Sequence, residues 1–506
     1  MRRKVFVPVL LFALLFSLSA AAAPKDALVV GIHADAKTLD PHVSNDSVSH
    51  NAMLQIYERL VTLDEKNDLV PQLAERWETP DPLTYKFYLK KGVKFHNGEE
   101  LTAEDVLFSF KRAMGPEAGA IRAYSDCIDP DGFETPDKYT IVIRTKEPMA
   151  AFLASMKHAY ASIVNKKAVE EAGERYGNAP VGTGPFKFVE WRKGDRIVFE
   201  RFDDYHGEKP RIKTMTLRAI PEATSRVIEL ETGNVDLIYY VPTSDVKRLR
   251  ANSSIDVIQT PGSLVYYMGM NTERKPFDDP RVRRAVDLAI DKEGVVDAVF
   301  EGFAAVPAGA WAPAVKYAPA DAAPLVQNLE EAAKLLKEAG YPNGFKTELW
   351  IQDRKDRIDM ATIIQAQLQE VGVEVEIKVL EWGAYLEKLK SGEHQMYILG
   401  WSASAPAHDP FFYVGPKFHS RFSGPSNRVR LKDAETDRLI DLGAITPDGP
   451  ERAKIYADLW ARLNELRPWV YLAIPDFFYG KVKSLKGMEH LNDRSVNYLG
   501  TAFFEE

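Results

Sequence analysis

The spacing of apolar residues switches between two periods along this chain. Over 347–401 the switch is regular. TELWIQD reads as a strand, and Ile358 to Val371 carries apolar residues at helical spacing. EVEIKVLEW alternates again, GAYLEKLKSG returns to helix, and MYILGW is a short apolar run ending at Gly400-Trp401. Alternating strand and helix predict a βαβ layer with at least partly parallel strands. Upstream, ALVVGI (27–32) reads as a buried strand, followed by a loop with an Asp40-Pro41 turn and a helix over 50–60. The stretch 84–98 predicts a β-hairpin turning at Lys90-Lys91-Gly92. A helix then starts behind Thr102, with Asp105 placed for a capping box and Val106, Phe110 and Ala113 on one face. Strands are predicted at 139–145, 186–189, 196–202, 213–220 and 264–271. One helix is predicted from Asp279-Pro280 through Phe300, another stopped by Gly340, and a third over 450–466. Gly182-Thr183-Gly184 is followed by proline and a strand rather than a Lys-Ser/Thr helix start. It therefore reads as a backbone turn and not a phosphate cradle.

A chain of 506 residues exceeds one compact core, so two or three domains are expected. The first 23 residues stand apart. Arg2, Arg3 and Lys4 precede an apolar run from Val5 to Leu18, and Ala20 to Ala23 offers small residues for cleavage. This is a secretory signal pattern, shorter than the ~20 residues that span a bilayer. No cysteine follows the run, so a soluble, exported, non-lipidated product is expected. Removing those three basic residues takes the formal charge from −8 to −11, which argues against nucleic acid as a partner. Cys127 is the single cysteine, so a large core rather than disulfides must hold the fold. The ten histidines are scattered, and no metal or cofactor is expected. Ser244 to Lys247 matches S-x-x-K, but neither K-T-G nor S-D-N accompanies it, and G-x-S-x-G and H-E-x-x-H are absent. An enzyme is not expected.

Several segments carry a resemblance in a fixed order: LDP (39–41), LVPQLAERWE (69–78), YKFYLKKGVKFHNGEELTAEDVLFSFKRA (85–113), GTGPFKF (182–188), MGMNTERKPFDDPRVRRAVDLAIDKE (268–293) and QLQEVGVEVEIKVLEWGAYLEKLKSGEHQMYILGW (367–401). Together they resemble solute-binding family 5, the exported dipeptide-, oligopeptide- and nickel-binding proteins of ABC importers. The resemblance implies an α/β, two-lobed periplasmic-binding-protein fold with a hinge and an extra inserted domain. It implies domain I at 24–50, 180–264 and 478–506, domain II at 51–179 and domain III at 265–477. The hinge would lie near 264 and 478. It also implies a periplasmic monomer that captures a peptide between its lobes and passes it to membrane permease subunits. A non-peptide or modified solute (glutathione-like, an opine, a metal chelate) and a periplasmic chaperone or sensor role remain open.

The family's amino-group anchor is an aspartate shortly after the Gly-Trp. That spacing falls on Ser404 here. Asp409 could take over the role, or it could cap a helix beginning at Phe411. For the carboxylate end the resemblance points to an arginine near Arg354 and Arg357. Trp382 and Trp401 are candidate pocket walls. Val43, Ser44 and Asn45 lie where the family lays a strand against its peptide, and Tyr266, Tyr267 and Asn271 lie at the domain crossing. His408 keeps a nickel role open.

Overall fold

The computed structural model describes residues 25–44, 46–64, 68–116, 118, 125–401, 409–424, 426–488, 491 and 498–505. The expected signal segment, Asn45, Ser404 and His408 lie outside them. Among the described residues no helix is long and apolar enough to cross a membrane.

Two large sheets organise the molecule. The first has seven strands in the order Ile255–Thr260, Phe477–Val482, Leu237–Tyr239, Ala27–Ile32, Thr214–Ala219, Arg196–Arg201 and Phe186–Arg192. Its central strand 27–32 runs parallel to both neighbours. The second has six, in the order Ala304–Ala305, Trp469–Pro475, Val265–Met270, Met396–Trp401, Lys346–Gln352 and Glu374–Leu380. There the predicted βαβ layer is found: 346–352 pairs in parallel with both 374–380 and 396–401. Strand 265–270 joins this layer antiparallel. A four-stranded antiparallel sheet of Ala74–Asp81, Thr84–Leu89, Thr140–Thr145 and Ile128–Asp137 forms a separate core in the insert.

Two local expectations are corrected. The 84–89 strand does not hairpin onto 93–98; it pairs with 74–81 and 140–145. Val93 and Phe95 are buried, but beyond them only the Lys94–Glu100 bridge forms. The true partner, AERWETPD, is rich in residues that sheets disfavour. The helix expected over 279–300 is two helices, Pro280–Leu288 and Lys292–Phe300, because Asp291 caps the second by accepting from the Gly294 amide. The Thr102–Asp105 capping box is present as expected. Gly182 and Gly184 pack against Ile56 so closely that a Cβ would lie 2.1 and 2.7 Å from backbone atoms of residues 55 and 56. The close approach explains the glycines as a turn against the first helix.

The chain crosses between the two large sheets twice, over 261–264 and at Asp476. Both crossings join the same ends. Strand 255–260 is antiparallel to 477–482, which is antiparallel to 237–239, so Thr260 and Phe477 sit at the carboxyl edge of the first sheet's parallel strands. In the second sheet Val265 pairs with Trp401 and Tyr266 with Ala473, so the crossings enter and leave at the carboxyl edge of 396–401. The two carboxyl edges therefore face one another across a two-stranded connection.

Candidate functional site

In an open α/β sheet, the crevice lies outside the carboxyl ends where successive connections leave to opposite faces. The second sheet has such a point. Helix Lys355–Gln369 follows strand 346–352 and buries Met360, Ile364 and Leu368 in one core. Helix Pro410–Phe418 follows strand 396–401 and buries Tyr413, Val414 and Phe418 in the core of the other face. The strands are neighbours, so the crevice opens between the starts of these helices. On the facing edge of the first sheet, His33 lies beyond strand 27–32 and meets Tyr240 edge-on at 4.7 Å. Arg226 ties that edge together by donating to the carbonyls of Ile220, Pro221, Tyr239 and Tyr240.

Arg357 stands in the first turn of its helix, only 4% exposed. Its guanidinium lies 4.0 Å from the Tyr266 ring centroid. Neither Nε nor Nη1 has a hydrogen-bond partner, and no carboxylate pairs with it among the described residues. Arg354 differs. It is half-exposed, and its Nε and Nη2 donate to Asp356 at 2.9 and 2.8 Å. Asp356 also accepts from the Tyr266 hydroxyl at 3.3 Å.

Asp409 is 2% exposed and caps its helix by accepting from the Phe411 amide at 3.0 Å. Both carboxylate oxygens accept from Arg452, at 2.6 and 3.1 Å. The charge of Asp409 is thus already matched by a buried cation. Of the two roles open to it in the sequence, the geometry supplies the cap, and it adds a buried ion pair that spacing did not reveal. Arg452 comes from helix Pro450–Leu466, 43 residues on, so no local pattern links the two.

Trp401 closes its strand, with its indole Nε1 buried and unpartnered. The Lys417 ammonium sits 3.5 Å from the Trp401 ring centroid. Trp382, 43% exposed, opens helix Trp382–Ser391 on the same edge. Tyr267 is stacked at 3.5 Å on Trp469 inside the core, on the opposite strand face from Tyr266. Asn271 is misplaced by the sequence reading. It follows the far end of strand 265–270, about 17 Å of strand away from the crossing. It is fully buried, and its amide donates to the carbonyls of Gly392 and His394. Val43 is 40% exposed in the loop leaving strand 27–32, while the Ser44 hydroxyl donates to Asp46, the cap of the next helix. The same loop is pinned to the insert by Asp40, paired with Arg112 at 2.5 Å. His33 and Lys417 also belong to this region and carried no sequence signal beyond their proximity to strand ends or loops, whereas the Arg428 backbone lies toward the amino end of strand 396–401, where its carbonyl bonds His394.

The model of the bacterial extracellular solute-binding proteins, family 5, matches residues 68–417. The chain belongs to this family. Heme-binding protein A of Haemophilus influenzae is 31% identical over 462 residues, covering 86% of this chain and 84% of that protein. The glutathione-binding protein GsiB of Pectobacterium atrosepticum is 30% identical and covers 94% of each. Among solved structures, the periplasmic binding protein DppA of Helicobacter pylori in complex with the peptide STSA is 31% identical. It superposes with a TM-score of 0.79 over 96% of this chain and 99% of that one. As a family 5 member the chain has the two-lobed binding-protein fold, with the insert as the extra domain.

Proposed function

We propose that this family 5 protein is the exported, periplasmic capture component of an ABC importer. It takes a peptide-class solute between its lobes and releases it unchanged to membrane permease subunits, acting as a monomer without catalysis. Its domains are then I (24–50, 180–264 and 478–506), II (51–179) and III (265–477). The observation that carries the reading is Arg357, a buried guanidinium at the switch point with no counter-ion among the described residues. A buried charge is costly unless it is paired, so this position is built for an incoming anion, here the solute carboxylate. Trp401, Trp382 and Tyr266 supply apolar walls.

Asp409, bound to Arg452, favours a modified solute over a simple free-amino peptide. Ser404 carries no charge, so no acid is left after the Gly-Trp to neutralise an ammonium. A solute whose amine is blocked suits this edge better. Two measurements test the reading. Mass spectrometry of whatever co-purifies should give a carboxylate-bearing solute. X-ray scattering should show compaction when that solute is returned to stripped protein, as hinge closure requires. Turnover of the solute, or an unchanged radius of gyration at saturation, would refute it.

A further inference from the structure

Helix 410–418 ends in a second buried cation. Lys417 is 6% exposed, and among the described residues the only partner of its ammonium besides the Trp401 ring is the Ser426 hydroxyl, at 3.4 Å. Arg428 lies in the same segment as Ser426, and its Nε is buried without a hydrogen-bond partner. The two positive charges repel one another. Arg428 and Arg357 both act electrostatically on the hydroxyls of Tyr267 and Tyr385, so these two cations share one neighbourhood of the sheet. Among the described residues no carboxylate pairs with Lys417, Arg428 or Arg357.

The acids that could have compensated them are committed elsewhere. Asp356 holds Arg354, Asp409 holds Arg452, and Glu381 caps helix 382–391. His419, two residues beyond Lys417, turns to Asp437 and Asp441 at 3.5 and 3.2 Å. His394, behind Arg428, bonds the Arg428 carbonyl. Residues 402–408 read SASAPAH, so whatever path they take they bring no acid. Three cations without acids among the described residues, in a protein of net charge −8, are a local reversal of the overall balance.

We infer that the second lobe holds an anion subsite, formed by Lys417 and Arg428 over the Trp401 ring and separate from Arg357. The solute therefore presents at least two acidic groups to this lobe. This rests on the capture reading above and names the solute class: a dicarboxylate or equivalent dianion. Arg357 takes one group and the Lys417–Arg428 pair the other.

The subsite has a proton signature. Burial, reinforced by Arg428, pulls the Lys417 ammonium down to about 7 in the free protein. An anion against it favours the charged form, so binding at pH 7.5 takes up protons and affinity falls as pH rises above about 7. Titration calorimetry in buffers of different ionisation enthalpy reads this directly. The probes are glutathione (two carboxylates), its diethyl ester (none) and the peptide Ser-Thr-Ser-Ala (one). Glutathione should bind about 30-fold or more tightly than either other probe. Its binding should take up protons in wild type and in His408→Gln, which removes the only titratable side chain of 402–408. Lys417→Met should abolish the uptake and cost about 30-fold in glutathione affinity, and Lys417→Arg should restore affinity without the uptake. Equal affinity for diester or tetrapeptide, or unchanged behaviour of Lys417→Met, would overturn the dianion subsite and leave the capture role standing. Failure of all three probes to bind would overturn the dianion subsite, whereas the capture role falls only on the co-purification and scattering measurements above.

Discussion

Asp409 and Arg357 are both buried charged residues near the same crevice, and their partners separate their roles. Asp409 is matched by Arg452 and a backbone amide; Arg357 meets an aromatic face and, among the described residues, no acid. Breaking a buried pair leaves an uncompensated charge, so Asp409→Ala should destabilise the free protein by about 3–5 kcal/mol in denaturant unfolding. Solute affinity of the folded fraction should stay unchanged. Arg357→Met should do the reverse. Removing an unpaired buried cation should leave the melting temperature of the free protein unchanged or higher, while the affinity for a carboxylate solute falls by about 2–5 kcal/mol. Calorimetry and thermal unfolding on both variants separate the two patterns. Sequence spacing had brought both residues into view. It could not show which was already neutralised, because Arg452 lies far along the chain.

At the level of elements, the crossing segments depend on contact as close as the backbone allows. A Cβ on Gly262 would stand 2.0 Å from the Pro475 carbonyl oxygen, and the obstructing atom is backbone that cannot rotate away. Thr260 and Phe477 pair directly beside it. Gly262→Ala must spread the two crossings and should cost about 1–3 kcal/mol of stability. Scattering of the variant should show an altered mean opening of the lobes. Element type was legible where periodicity was strong, as in the 347–401 layer and the Thr102 capping box. It failed where partners are set from outside: strand 74–81 is polar and is held by its neighbour's backbone. The 279–300 helix broke because Asp291 offers a new cap, a local competition that hydrophobic spacing does not register.

For the molecule as a whole, several histidines are held neutral by burial. Burial pulls His42 down to about 4, with Asp40 opposing and Arg112 assisting. Burial likewise holds His96 at about 4, against its bond to the Gly184 carbonyl, and His394 at about 4, against its bond to the Arg428 carbonyl. The unfolded chain protonates these groups near 6.5 while the fold resists until about 4. Their contribution is therefore present above pH 6.5 and is lost as pH falls toward 4, at a slope of up to about 1.4 kcal/mol per histidine per pH unit. Urea unfolding between pH 7.5 and 4.5 should show this decline, and replacing His96 by Gln should reduce the slope. His96 and His42 lie at joints between the insert and the first lobe, where they bond the carbonyls of Gly184 and Ser162. The insert should accordingly loosen first on acidification. It also reaches the second lobe, through the Ala150 amide on the Ala444 carbonyl at 2.8 Å.

The sequence by itself determined the local layers: which stretches are strands or helices, where the parallel layer lies, and which ordered segments resemble family 5. Those depend on period, caps and turns, which act over a few residues. Only the tertiary structure decided that both carboxyl edges face each other, and that Asn271 falls at the wrong end of its strand. It also paired Asp409 with Arg452 and left Arg357, Lys417 and Arg428 without acids among the described residues. Charge compensation is settled between segments tens of residues apart, and a linear pattern carries no record of which charges meet.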